Sequence, residues 1–247
     1  MTVALTIWQP YPSLIAHGIK EWETRPHPPA GWPGIPEGTR RMPGCRVEPG
    51  ETVLIHAAAK RPVHLSRVGE WSVHSRFTEP ESGPEIRRLG SVHNGELVPD
   101  RYERGLAIPM PLGAVVATAR ITDVLPIVYD YDDVCHAYDG PAAVEHQEGK
   151  LWLWPEWDSA LDEEPTDISD QLPYGDWTPG RWAWRFGDVR KLDEPVREYL
   201  KPCGIGNQCW GEDCCPSPLH GGVVPVRGRQ GVWRPAPALV AACGVTP

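Results

Sequence analysis

Along this chain, short apolar runs alternate with long polar stretches rich in proline and glycine. Val3 to Ile7 is apolar and β-prone, which predicts a strand. Pro12 then stands where the first turn of a helix tolerates proline. Leu14 and Ile15 supply that helix with a buried side, and Gly18 closes it. Lys20-Glu21-Trp22-Glu23-Thr24-Arg25 alternates as a second strand. Unless a bulge intervenes, Lys20, Trp22 and Thr24 share one face and Glu21, Glu23 and Arg25 the other.

Residues 26–50 carry too much proline and glycine for a regular element, so they predict a long loop leading to a strand over Thr52 to His56. Arg61 to Glu70 and Pro84 to Leu89 read as helices. Leu112 to Leu125, rich in β-branched residues, is the clearest long strand. Pro126 to Leu172 is acidic and bears Trp152, Trp154 and Trp157 without clean periodicity, which reads as an insertion that packs on the domain or caps its cleft. Alternation resumes at Gly180 to Phe186, and a last helical turn is expected at Gly228 to Trp233. No internal repeat is visible.

Composition sharpens this picture. With 29 Pro, 25 Gly, 2 Phe and 3 Met, bulky core volume must come from Leu, Val, Ile and the 12 Trp, a profile of short strands and many loops. No apolar run is long enough to span a bilayer and the N-terminus lacks the pattern of a secretory signal, so the expectation is a cytoplasmic protein with no membrane partner. Seven cysteines without an export signal favour free thiols or metal ligands over a disulfide framework. A net charge of -9 weighs against a nucleic-acid partner, but the excess acidity sits in residues 105–180, which hold 2 basic and 15 acidic side chains. The two ends of the chain remain free to meet as a basic surface.

Four blocks, in order, resemble the ASCH (activating signal cointegrator homology) family: LTIWQPYPSLIAHGIKEWETR, ETVLIHAAAKRP, LGAVVATARITDVLPI, and GRWAWRFGDVRKLDEPV with VPVRGRQGVW. The first is the most specific, a strand ending in Gln-Pro, a short helix, and Gly-x-Lys with Glu and Arg three and five residues beyond the lysine. The resemblance implies an α+β, mainly β fold: a twisted β-barrel of the PUA-like group with short flanking helices and long loop insertions. It implies one domain over residues 1–235, with an acidic insertion at about 126–172, a cysteine-rich insertion at about 198–222 and a C-terminal tail over 236–247. Family members are associated with RNA or DNA binding in a cleft between the first helix and the barrel. Some small members resemble amide hydrolases acting on an acetylated cytidine, and a ribonuclease activity is attached to another.

On this basis Lys20 is the leading site residue, as a phosphate partner or, if desolvated, as a base or nucleophile. Glu23 and Arg25 complete the motif, or form a structural ion pair. The hydrolase members carry a threonine where this chain has Glu23, with Thr24 one position on. A carboxylate there would hold Lys20 charged, which suits binding better than nucleophilic attack. Trp8 is placed to stack on a base or to pack in the core, and Gln9 to read a base edge. His56 and Lys60 flank a turn of alanines and are candidates to face the cleft. Arg181 and Arg185, alternating with Trp182 and Trp184, and Arg227 and Arg229 near the end, give the basic and aromatic texture of single-strand binding. An amphipathic strand gives the same texture. Cys203, Cys209, Cys214 and His220 are candidate ligands for a structural zinc, without the two-residue knuckles typical of such sites. No cofactor is otherwise required.

The expected function is therefore binding of RNA or single-stranded DNA, with recognition of a modified or strand-end base. The alternatives are amide hydrolysis of an acylated cytidine nucleoside by Lys20 and Glu23, and capture of a basic protein partner by the acidic insertion.

Overall fold

The computed structural model describes residues 2–42, 44, 46–59, 65–68, 70–79, 83–93, 96–99, 108–130, 142–155, 164–201, 222–226, 228 and 231–246; over 65–99, 200–201 and 222–223 it describes the backbone alone. In chain order the elements are β1 (Thr2–Ile7), α1 (Tyr11–Ala16), β2 (Trp22–Arg25), β3 (Thr52–Ala57), β4 (Leu65–Val68), β5 (Glu70–Glu79), β6 (Gly83–His93), β7 (Glu96–Pro99) and β8 (Ile108–Pro109). They continue as β9 (Ala114–Val128), β10 (Ala143–Gln147), β11 (Lys150–Trp154), β12 (Thr166–Asp167), a 3-10 helix over Ser169–Tyr174, β13 (Trp182–Val196), β14 (Glu198–Lys201), β15 (Gly222–Pro225), β16 (Gly231–Trp233) and α2 (Pro237–Ala242).

The fold is α+β and mainly β, built around a mixed sheet of nine strands. β1 and β3 run parallel, with Thr6 opposite His56, and β16 pairs antiparallel with the other edge of β1. β3 pairs antiparallel with β9, whose 15 residues reach on to meet β10 at Ile127 and Val128. β13 runs antiparallel along β9, and its first residues also pair with β2. No described strand bridges β2 and β16, so the described pairing leaves the sheet open.

β1 and β3 read as unbroken apolar runs because both of their faces are buried. Val3, Leu5, Ile7, Val53 and Ile55 enter a core with Ala117, Ile121, Trp184 and Phe186, whereas Ala4 and Leu54 meet Val115, Trp233, Leu239 and Val240 on the other side. The helix predicted around Pro12 is α1: proline stands in its first turn, Leu14 and Ile15 are buried, and Gly18 follows in the left-handed region at φ 69°. Among the described residues no helix is long and apolar enough to cross a membrane.

Three expected helices are corrected. The described parts of Arg61 to Glu70 and Pro84 to Leu89 are not helical; they lie in β4, β5 and β6 of a separate five-stranded antiparallel sheet. A ladder of adjacent strands satisfies these backbones cooperatively, and Trp, Val, Phe and Thr in β5 favour it over short isolated helices. Of Gly228 to Trp233, the described Gly231–Trp233 is no helical turn either: it forms β16, paired with β1. The described parts of 126–172 are woven into the main sheet as β10, β11 and β12, and Val144, Leu151 and Leu172 share a core with Trp22, Trp177 and Ala183. The tail over 236–247 includes α2, whose Leu239 and Val240 are buried.

Candidate functional site

Parallel pairing brings the C-terminal ends of β1 and β3 to the same edge of the sheet, and a cleft of about 650 Å³ opens there. Its walls include Thr6, Trp8, Tyr11, Glu23, Arg25 and His56, with Ala58, Ala59 and Gly228 leaving room between them. Trp8 follows β1 directly, and the bond from Gln9 to Pro10 is cis. Trp8 is 44% exposed, an uncommon state for so large an apolar ring, which settles its choice between core and rim.

The expected separation of Lys20 from Glu23 does not hold. Lys20 precedes β2 and is not part of it, so strand alternation does not govern its direction. Its ammonium is fully buried and lies 3.4 Å from Glu23 Oε2, donates to the Tyr174 carbonyl, and sits 5.0 Å from the centre of the Tyr11 ring. Glu23 Oε1 lies 2.9 Å from Arg25 Nε, and Arg25 Nη2 donates to the Thr6 carbonyl at 3.2 Å. One carboxylate is thus held between two basic side chains. Glu23 and Arg25 line the cleft, while Lys20 stands behind them.

Burial lowers the pKa of Lys20, with Glu23 opposing that shift and Arg25 adding to it. Burial also raises the Tyr11 phenol, helped by the negative charges of Glu23 and Asp176. His56 is buried, and desolvation pushes its pKa down to about 4, so its imidazole is neutral near pH 7. Its Nδ1 lies 3.2 Å from Thr6 Oγ1, which also accepts the Trp233 indole N–H at 3.0 Å. The His56 and Trp233 rings meet edge to face at 5.9 Å. His56 Nε2 is buried without a hydrogen-bond partner among the described residues.

Of the residues singled out from sequence, the cleft therefore gathers Trp8, Glu23, Arg25 and His56, with Lys20 behind. Gln9 is elsewhere engaged: it is buried, and its Nε2 donates to the Pro111 carbonyl at 2.7 Å. Arg181 pairs with Asp176 at 3.4 Å and borders a second cavity of about 680 Å³ together with Trp32, Leu125 and Trp182. Arg185 lies over the Trp22 ring and 3.9 Å from Asp123. Neither arginine lines the cleft. Lys60, Arg227, Arg229, Cys203, Cys209, Cys214 and His220 lie outside the described residues.

Sequence reasoning missed Thr6, Tyr11, Gly228 and Trp233. Thr6 was hidden inside an apolar run, and its polar role follows only from its register opposite His56. Tyr11 was legible as the residue nearest the Trp8-Gln9-Pro10 turn. A scan against protein-family models finds none that matches the chain, and a search of curated proteins finds no significant match.

Proposed function

We propose that this cleft binds a base of RNA or single-stranded DNA, and that the mixed sheet around it is a PUA-like barrel of the ASCH type. The observation that carries the reading is the exposed indole of Trp8 on the rim of a cleft walled by Arg25 and Glu23, with the buried Lys20 amine behind them. An exposed indole supplies a stacking face that any base can use, and the Arg25 guanidinium in the same cleft attracts the adjoining phosphate. The local charge supports a nucleic-acid ligand despite the overall -9. The blocks that resemble the ASCH family supply β1, α1, β2 and β3, which form most of the cleft's lining.

The test is fluorescence anisotropy of short single-stranded RNA and DNA at two salt concentrations, with wild type and with Arg25→Ala and Trp8→Ala variants confirmed folded by circular dichroism. Salt-sensitive binding that weakens in both variants supports the reading. Absence of measurable binding to either nucleic acid overturns it.

A hydrolytic reading, in which Lys20 and Glu23 act on an acylated cytidine nucleoside, has one observation in its favour: burial lowers the pKa of Lys20, as an amine acting as base requires. Against it, both oxygens of Glu23 are held by cations and the Lys20 ammonium stands behind the cleft wall. Carboxylate release from an acylated cytidine by the wild type, lost in a folded Lys20→Ala variant, would favour hydrolysis over binding alone.

A further inference from the structure

The contacts around His56 restrain its imidazole and favour one proton arrangement. The Trp233 indole can only donate, so Thr6 Oγ1 accepts from it. The Thr6 hydroxyl proton then has one acceptor among the hydrogen bonds described, His56 Nδ1 at 3.2 Å. An accepting Nδ1 leaves the proton of a neutral imidazole on Nε2. Trp233 packs edge to face against the ring, and Gly228 lies so close that any side chain there would overlap it. The ring thus has little freedom to turn, and its N–H is buried at the wall of the cleft without an acceptor among the described residues. A buried donor left unpaired is disfavoured, and a ligand that supplies the acceptor removes that penalty.

Charge says which acceptor this is. With its pKa near 4 the ring is neutral, and an uncharged donor has little preference for phosphate when Arg25 lines the same cleft. Resting on the reading of this cleft as a base-binding site, we propose that His56 is a specificity-determining residue whose Nε2–H donates to a ring nitrogen or carbonyl oxygen on the edge of the bound base. Trp8 stacks on any base and Arg25 attracts any phosphate, so selection among bases falls to His56.

The experiment has two arms on the full chain. Long-range nitrogen-proton NMR of the free protein reads the tautomer, and the Nε2–H form is expected; an Nδ1–H form overturns the proposal without any ligand. Calorimetry with the ribonucleoside monophosphates then finds the tightest binder, which is compared with its deaza analogues, in which C–H replaces a ring nitrogen. One such replacement is expected to weaken binding to the wild type about tenfold and to His56→Phe by less than about twofold. For a base read through its carbonyl, the analogue lacking that oxygen takes the same place. Equal losses in both proteins overturn the proposal while leaving base binding intact. If no monophosphate binds the wild type, the base-binding reading fails and the proposal falls with it. Should His56→Phe fail to fold, the wild-type Nε2 resonance decides: it must move with the native base and not with the analogue.

Discussion

Thr6 and His56 stand side by side on parallel strands, with Oγ1 3.2 Å from Nδ1. This places a neutral, desolvated imidazole at the wall of the cleft, and the proton balance of that ring is measurable in the stability of the fold. The folded pKa of His56 is about 4, against an ordinary value of 6.5. The unfolded chain therefore takes up the proton first. Stability linked to His56 is complete above pH 6.5 and is lost as pH falls toward 4, by up to roughly 3 kcal/mol. Urea unfolding of wild type and His56→Gln over this range should show the wild type losing stability faster. Parallel curves would mean that the ring is not held neutral.

Trp8→Ala should leave stability within about 0.5 kcal/mol of the wild type, because the indole is already half in water. Its effect belongs to the ligand. Loss of a stacking face should weaken oligonucleotide binding by about 1–3 kcal/mol, with little change in the salt dependence that Arg25 contributes. Anisotropy titrations at two salt concentrations separate the two contributions.

Lys20→Met should destabilise the protein by about 1–3 kcal/mol, because the methionine fills the space but removes one of the two cations that hold the Glu23 carboxylate and one hydrogen bond to the Tyr174 carbonyl. Glu23→Gln should cost less in the Lys20→Met background than in the wild type, since one of that carboxylate's two contacts is already gone. Chemical denaturation of the two single variants and the double variant measures the coupling. Strict additivity would show that the buried pair is not an energetic unit.

Cys243 is buried beside Leu239 and Val240, and burial pushes its thiol up to about 11. At pH 8 almost none of it is thiolate, so alkylation should be about two orders of magnitude slower than for a free thiol. Peptide mapping after iodoacetamide treatment should find Cys243 unmodified in the native protein and modified in urea. Rapid native labelling would show that α2 leaves the core readily.

Much of the scaffold was legible in the residues themselves. β1, α1, β3, β9 and β13 each announce themselves through β-branched runs, a proline in a helical first turn or regular alternation. β10 was hidden by its own chemistry: four of its five residues are buried, but Glu145 and His146 are among them. They satisfy themselves locally, Glu145 accepting from Trp154 Nε1 at 2.8 Å and His146 bonding to the Trp177 carbonyl at 3.1 Å. In sequence such residues look like loop. β11 was obscured in the opposite way, since Trp152 and Trp154 are as apolar as Leu151 and Leu153, and only the packing distinguishes them: the leucines join the core of Trp22, whereas Trp154 packs on Val128 and Ala143. In the site, Trp8, Glu23, Arg25 and His56 were found by motif. The Lys20 to Glu23 contact was not, because alternation begins after Lys20, and Thr6 and Trp233 acquire their role only through strand register.

Trp22, next to Glu23 in β2, packs in the same core as Val144, Leu151 and Leu172. The opening motif and the acidic segment are therefore halves of one keystone, although more than a hundred positions separate them. Excising residues 130–170 to look for a lost partner would take Val144 and Leu151 out of the packing beneath the cleft's own strand. Any loss of binding that followed would report a collapsed wall. Charge reversals at exposed acids such as Glu148 and Asp167 leave that packing in place, and are the cleaner way to ask what the acidity is for.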